Sequence, residues 1–201
     1  MRKITINLAA VAAFCIVVAS PALVSSSCAT PQTEQEDTTI IREDLGITAL
    51  KYSSPEVPSS IEFCGKVIDL SRFDRHERMD RELLAFTYMH STSLQMLKKA
   101  NRYFPIVEPI LKENGIPDDF KYLMVIESNM NPTARSSAGA AGLWQFMQGT
   151  GRDYGLEVNN NVDERYHIEK ATRAACRYLK DAYAKYKDWV AVAASYNAGQ
   201  A

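Results

Sequence analysis

Apolar residues recur at helical spacing through most of the chain beyond residue 80. The stretch PDDFKYLMVIES, residues 117 to 128, shows the pattern and one exception to it. Phe120, Leu123 and Met124 fall at i, i+3 and i+4, and Glu127 follows at i+7 on the same stripe. A carboxylate on a core-facing stripe is costly unless it is paired, hydrogen-bonded or protonated. Pro117 suits the first turn of this helix, and Asp118 and Asp119 stand where the helix dipole favours negative charge.

Four other segments carry the same period. RELLAFTYMHSTSLQMLKKANRYF predicts a long amphipathic helix, and FPIVEPILKEN after it ends at Gly115, a C-terminal stop. IEKATRAACRYLKDAYAKYK has a stripe of Ile168, Ala171, Ala175, Leu179, Ala182 and Tyr186, small enough for close packing. DWVAVAASYNAG places Trp189, Val192, Ala193 and Tyr196 on one face. LWQFMQGTGRDYG predicts a short helix, and residues 129 to 142 a loop of small residues. IEFCGKVIDL alternates only in part and reads as a short strand or an extended arm. No repeat and no sheet are expected. The class is all-α.

The N-terminus changes the picture. Arg2 and Lys3 precede LAAVAAFCIVVAS and Pro21, which is short for a membrane span and suits an export signal. VSSSCAT resembles a bacterial lipoprotein processing site with Cys28 as the acylated residue, although Ser25 stands where that pattern prefers an aliphatic side chain. Plain signal cleavage and an uncleaved anchor stay open. The expected organisation is a signal segment at 1 to 27, a Ser- and Pro-rich tether at 28 to 60, an arm at 61 to 79 and a helical domain at 80 to 201.

Composition bounds the chemistry. The 201 residues are 46% hydrophobic with net charge −1 and no basic block, which argues against nucleic-acid binding. His76, His90 and His167 are scattered without ligand spacing, so no metal and no cofactor are expected. Cys64 and Cys176 remain in the mature body of an exported protein, where they form a disulfide or stay buried thiols.

Three stretches then stand out, I126-E127-S128, G142-L143-W144-Q145 and S195-Y196-N197-A198-G199. With the loop SSAGAAGLWQF between the first two, they resemble the lytic transglycosylases of bacterial cell walls. The resemblance covers residues 80 to 201. It implies a goose-lysozyme-like helical fold with a groove for glycan strands, and a single catalytic glutamate, matched by Glu127. Ser136, Gly142 and Gln145 match positions lining the saccharide groove, and Tyr196 and Asn197 match the third motif.

The implied reaction cleaves the β-1,4 bond between N-acetylmuramic acid and N-acetylglucosamine and leaves a 1,6-anhydro ring. Such an acid must hold its proton near neutral pH, which suits a glutamate on an apolar stripe in the last turn of a helix. Glycosidases of the usual kind use two carboxylates, and none occurs between Ser128 and Arg152; Asp163 and Glu164 stay open as a second one. Gly139 and Gly142 are expected to let backbone approach a sugar. Gln145 suits acetamido groups, Trp144 reads as core, and the Tyr196 hydroxyl could reach Glu127 or substrate.

The partners implied are peptidoglycan strands and a membrane reached through the lipid anchor, the outer membrane before the inner, with the protein a monomer. In the family more helix follows the third motif, so a chain stopping at Ala201 reads as truncated. A hydrolase of the same fold and a catalytically silent wall-binding lipoprotein are the alternatives.

Overall fold

The computed structural model describes residues 55–198. The signal segment, Cys28 and most of the tether lie outside the described residues. Six α-helices and one small hairpin make up the described part: β1 (Ser60–Phe63), β2 (Lys66–Asp69), α1 (Phe73–Tyr88), α2 (His90–Glu113), α3 (Lys121–Ser128), α4 (Gln148–Asp153), α5 (Ile168–Tyr186) and α6 (Trp189–Ala198). The all-α expectation holds for the body of the domain.

The IEFCGKVIDL stretch is a two-stranded antiparallel hairpin, with Phe63 opposite Lys66 and Ser60 opposite Asp69. Cys64 and Gly65 turn the chain with φ of 52° and 76°. A two-residue turn with both φ positive matches the twist of the flanking strands. The hairpin is anchored from its tip. Phe63 packs on Phe120 at 6.0 Å between ring centroids, Asp119 accepts the Cys64 amide at 2.6 Å, and Lys66 pairs with Asp188 at 2.8 Å.

The expected arm at 61 to 79 is therefore wrong in its second half, because α1 starts at Phe73. Phe73 to Arg78 are all exposed, so this first part of the helix has no apolar stripe for a periodicity reading to find. The stripe begins with Met79 and Leu83, which close over Leu70 and Ile61 of the hairpin. The long amphipathic segment also divides. Met89, at φ −79° and ψ 46°, separates α1 from α2, and the Ser93 hydroxyl takes up the carbonyl of Phe86.

Residue α2 positions 105 and 109 are prolines, yet the helix continues through both. Each lacks an amide proton, which removes the bonds to the carbonyls four residues back, at Asn101 and Pro105. Both prolines are exposed and four residues apart, so the gaps lie on one solvent-facing side. The helix stops where expected. Gly115 takes φ 66°, and Ile116 donates to the Leu111 carbonyl at 3.0 Å while its side chain is buried.

The core forms where α2, α3 and α6 meet the small-residue face of α5. Ala171, Ala174, Ala175 and Ala182 of α5 are buried together with Val107, Leu111, Met124 and Val192. Trp189 stacks on Tyr183 at 4.1 Å and meets Phe120 edge-on at 5.3 Å. Among the described residues, no helix is long and apolar enough to cross a membrane.

Of the two states left open for Cys64 and Cys176, the disulfide is not formed. Cys64 is fixed at the hairpin turn by Asp119, whereas Cys176 is buried in α5 with its sulfur toward the Ile110 carbonyl at 4.0 Å. A buried small thiol packs well in such a helix. Burial pushes this thiol up to about 11.

Candidate active site

Helix α3 is eight residues long, and Tyr122 to Val125 are buried. Two ties fix its N-terminal end. Asp119 holds the hairpin, and Lys121 pairs with Glu108 of α2 at 2.7 Å and with Asp118. Burial alone would lower the Lys121 pKa, but the hydrogen bonds to Asp118 and Glu108 outweigh it and hold the ammonium above its usual range.

Glu127 stands in the last turn of α3, as the periodicity predicts. Its residue is half-buried and its Oε1 atom is shielded from solvent. The next residues bend sharply. Asn129 caps the helix in the left-handed region at φ 49°, and Met130 follows at φ 54° with its side chain fully buried. Asparagine tolerates that conformation; methionine does so only because the surroundings over-determine it. The Lys99 ammonium of α2 donates to the Asn129 carbonyl at 3.2 Å and closes the helix end.

The loop of small residues returns to this end of α3. Ser136 accepts the Ala140 amide on its hydroxyl at 3.0 Å, which folds the loop back on itself. Single bridges join Arg135 to Ala141 and Ala141 to Phe146. Gln145 has φ 48°, and its side-chain nitrogen donates to the carbonyls of Gly142 at 2.8 Å and Ala134 at 3.3 Å. The expected short helix over 143 to 155 is thus confined to Gln148–Asp153. The LWQF part instead forms a bridge and a turn that Gln145 ties to itself.

Gly142 departs from its expected use. It is buried, and a Cβ built there would stand 1.9 Å from the Arg165 carbonyl oxygen. Its lack of a side chain admits Arg165, not a sugar. Gly139 has φ 90° with open space where a Cβ would be, so backbone conformation is what calls for glycine there. Trp144 is core, fully buried, with its indole nitrogen donating to Thr172 at 3.0 Å.

Helix α6 supplies Tyr196. Its ring meets Tyr178 edge-on at 5.2 Å, and its hydroxyl donates to the Trp144 carbonyl, not to Glu127. Burial first, and then the nearby negative charge of Glu127, push its phenol well above the usual range. The three sequence motifs therefore converge: Tyr196 is bonded to the residue before Gln145 and feels the Glu127 charge. Asn197 lies on the same helix, and its side chain is outside the described residues.

Sequence reasoning missed Arg165. This residue is 2% exposed. One edge of its guanidinium forks onto Asp163, at 2.9 Å to Oδ1 and 2.7 Å to Oδ2. Its Nη1 donates to the carbonyls of Gly139 at 2.8 Å and Phe146 at 2.9 Å. Glu164 accepts the Glu157 amide at 2.8 Å and pairs with Lys170. Both carboxylates left open as a second catalytic group are thus engaged elsewhere. The spacing D-x-R was the available signal, but nothing in it shows that the arginine is buried.

A cavity of about 810 Å3 opens beside the C-terminal half of α2, lined by Pro105, Lys112, Gly115 and Pro117 among others, and none of the motif residues lines it. Among the described residues, no cluster of His, Cys, Asp and Glu could hold a metal ion.

Residues 105–201 match the family model described as Transglycosylase SLT domain. The chain is 31% identical over 125 residues to membrane-bound lytic murein transglycosylase D of Escherichia coli (strain K12), which is 62% of this chain and 27% of that relative. It is 33% identical over 90 residues to the peptidoglycan transglycosylase of Escherichia phage T7, 43% of this chain and 7% of the phage protein. A protein named for tributyltin chloride resistance in Alteromonas sp. (strain M-1) is 23% identical over 114 residues, 56% of this chain and 55% of its own length. The chain thus spans about a quarter of the length of the curated Escherichia coli relatives it matches.

Proposed function

We propose, from the premise that residues 105–201 belong to the transglycosylase SLT domain family, that this protein is a lytic transglycosylase of peptidoglycan. It cleaves the β-1,4 bond between N-acetylmuramic acid and N-acetylglucosamine. Glu127 protonates the leaving glycosidic oxygen. The resulting carboxylate then takes the proton of the muramic C6 hydroxyl, whose oxygen closes on C1 as a 1,6-anhydro ring. The proton returns to Glu127, so atoms balance without water.

The observation that carries this reading is the position of Glu127: a carboxyl with one shielded oxygen, at the C-terminal end of a buried helix. Shielding from water and the negative end of the helix dipole both favour the protonated form a general acid needs. The engagement of Asp163 by Arg165 and of Glu164 by Lys170 supports a one-carboxylate mechanism. Ser136, Gln145, Tyr196 and Asn197 contribute to the saccharide groove, and Gly142 shapes its turn.

Glu127→Gln keeps the shape and removes the titrating proton, so release of anhydromuropeptides from purified sacculi should fall by several orders of magnitude. Wild-type turnover by that variant defeats the proposal. Products one water heavier than anhydro ends would assign a hydrolase instead.

The protein is exported, acylated at Cys28 and held at a membrane facing the periplasm, the outer membrane before the inner, as a monomer. The charged start, the apolar run and the small residues before Cys28 support this. Cys28→Ser should move the protein to the soluble fraction; if wild type carries no lipid mass, the anchor is refuted.

A further inference from the structure

We infer that Asp163 and Arg165 are positioning residues that set the shape of the saccharide-binding loop, a role that rests on the glycan reading of the site. The loop of residues 134 to 146 carries Ser136, Gly142 and Gln145 and has little regular structure of its own. Its internal bonds all stay within the loop: Gly142 to Ala134, Gln145 to Gly142, Ala141 to Phe146, and the Gln145 side chain to Ala134. Arg165 supplies what these lack. One nitrogen, Nη1, holds Gly139 on the outgoing arm and Phe146 on the returning arm at once. The same residue's carbonyl fills the space beneath Gly142. Arg165 thus touches the loop on two sides, through its side chain and through its backbone.

Asp163 fixes the arginine in turn. A planar guanidinium forked on a carboxylate can rotate little, so its far edge points at the two loop carbonyls in one direction only. Asp163 also accepts the Arg165 amide at 3.2 Å, locking backbone and side chain together. Arg165 Cδ and Cγ would lie 3.3 Å from a Cβ on Gly151, so helix α4 closes over its aliphatic stem. A lysine at 165 would keep the charge, but a point-like ammonium cannot hold the fork and both carbonyls in one plane.

Neither residue touches the reacting bond. Losing the clamp should therefore weaken strand binding and leave proton transfer alone. The test compares wild type with Arg165→Lys and Asp163→Asn, each also made with Glu127→Gln so that binding is read without turnover. The probes are purified sacculi for kinetics and β-1,4-linked N-acetylglucosamine oligomers for equilibrium binding, with near-ultraviolet circular dichroism to verify folding.

The expected result is a folded variant whose KM and oligomer Kd rise by about tenfold or more, the scale of losing a charged hydrogen bond that orders the binding loop. Its kcat should change by less than about threefold, and the pH limbs of kcat should not move. Unchanged KM and Kd overturn the clamp. A shifted pH limb also overturns it, because Asp163 would then take part in proton transfer. If both variants fail to fold, the pair is only a folding determinant and the inference is wrong. An inactive wild type that still binds oligomers, with binding weakened by Arg165→Lys, would sink the catalytic reading and leave the clamp standing.

Discussion

Tyr196 donates its hydroxyl proton to the carbonyl oxygen of Trp144 at 2.8 Å. This single bond ties the last helix to the loop one residue before Gln145, across 52 positions of sequence. Removing the hydroxyl leaves a carbonyl without its donor at a site the ring still covers. Tyr196→Phe should lower unfolding stability by about 1–3 kcal/mol, the cost of a polar group left unsatisfied. Chemical denaturation checks this. If the hydroxyl served Glu127 directly, the acid limb of the pH–rate profile would move in this variant. Engagement with Trp144 predicts that it stays in place.

Asn129 offers a cleaner test of backbone conformation, because it is exposed and caps α3 at φ 49°. Glycine enters that region without penalty, whereas a β-branched residue is strained there. Asn129→Gly should be neutral or slightly stabilising, and Asn129→Val should cost about 1–2 kcal/mol. Thermal melts of the pair decide the matter, and equal melting temperatures would mean that the turn relaxes freely.

Cys176 gives a pH dependence on the alkaline side. Its folded thiol is raised to about 11 from a value of 9.0. The fold favours the neutral thiol, so this contribution is complete below pH 9 and is lost as pH rises toward 11. The loss is of the order of 2 kcal/mol for a thiol buried in this way. Cys176→Ala should remove that part of the alkaline decline. In the native protein at neutral pH the thiol should also resist alkylation, and rapid labelling would contradict its burial.

Asp163 gives the opposite dependence. Hydrogen bonds from Arg165 hold its carboxyl below 3.8, against the opposing effect of burial. Its contribution is therefore present above about pH 4 and is lost as pH falls through the folded value. The stability gap between wild type and Asp163→Asn should be widest near neutrality and shrink in acid. A gap that does not change with pH would mean that the carboxylate charge is immaterial.

Much of this was legible in the sequence. The stripe through Phe120, Leu123 and Met124 located the helix that carries Glu127, and the alanine face of α5 located the core. The Gly115 stop held to the residue. Periodicity failed where no apolar stripe exists, in the exposed first part of α1. It also failed where a solvent-facing side let α2 absorb Pro105 and Pro109. At the site, residue types were visible but their commitments were not. Gly142 is a glycine because of Arg165, and the Tyr196 hydroxyl belongs to Trp144. Such pairings join residues that sequence distance hides. The left-handed Met130 has no signature at all, because only its burial keeps it there.

The position of α2 in the core bears on the smallest piece able to fold. The family match begins at residue 105, about two thirds of the way along that helix. Met96, Ala100, Tyr103 and Phe104 lie before that point, yet they are buried in the same cluster as Met124 and Ala175. The hairpin adds Phe63 to the cluster and grips the start of α3. Excising residues 105–198 would cut a helix in two and bare one wall of the interior. The cooperative unit therefore begins near residue 60, and the helix that carries Glu127 depends on chain that family likeness leaves out.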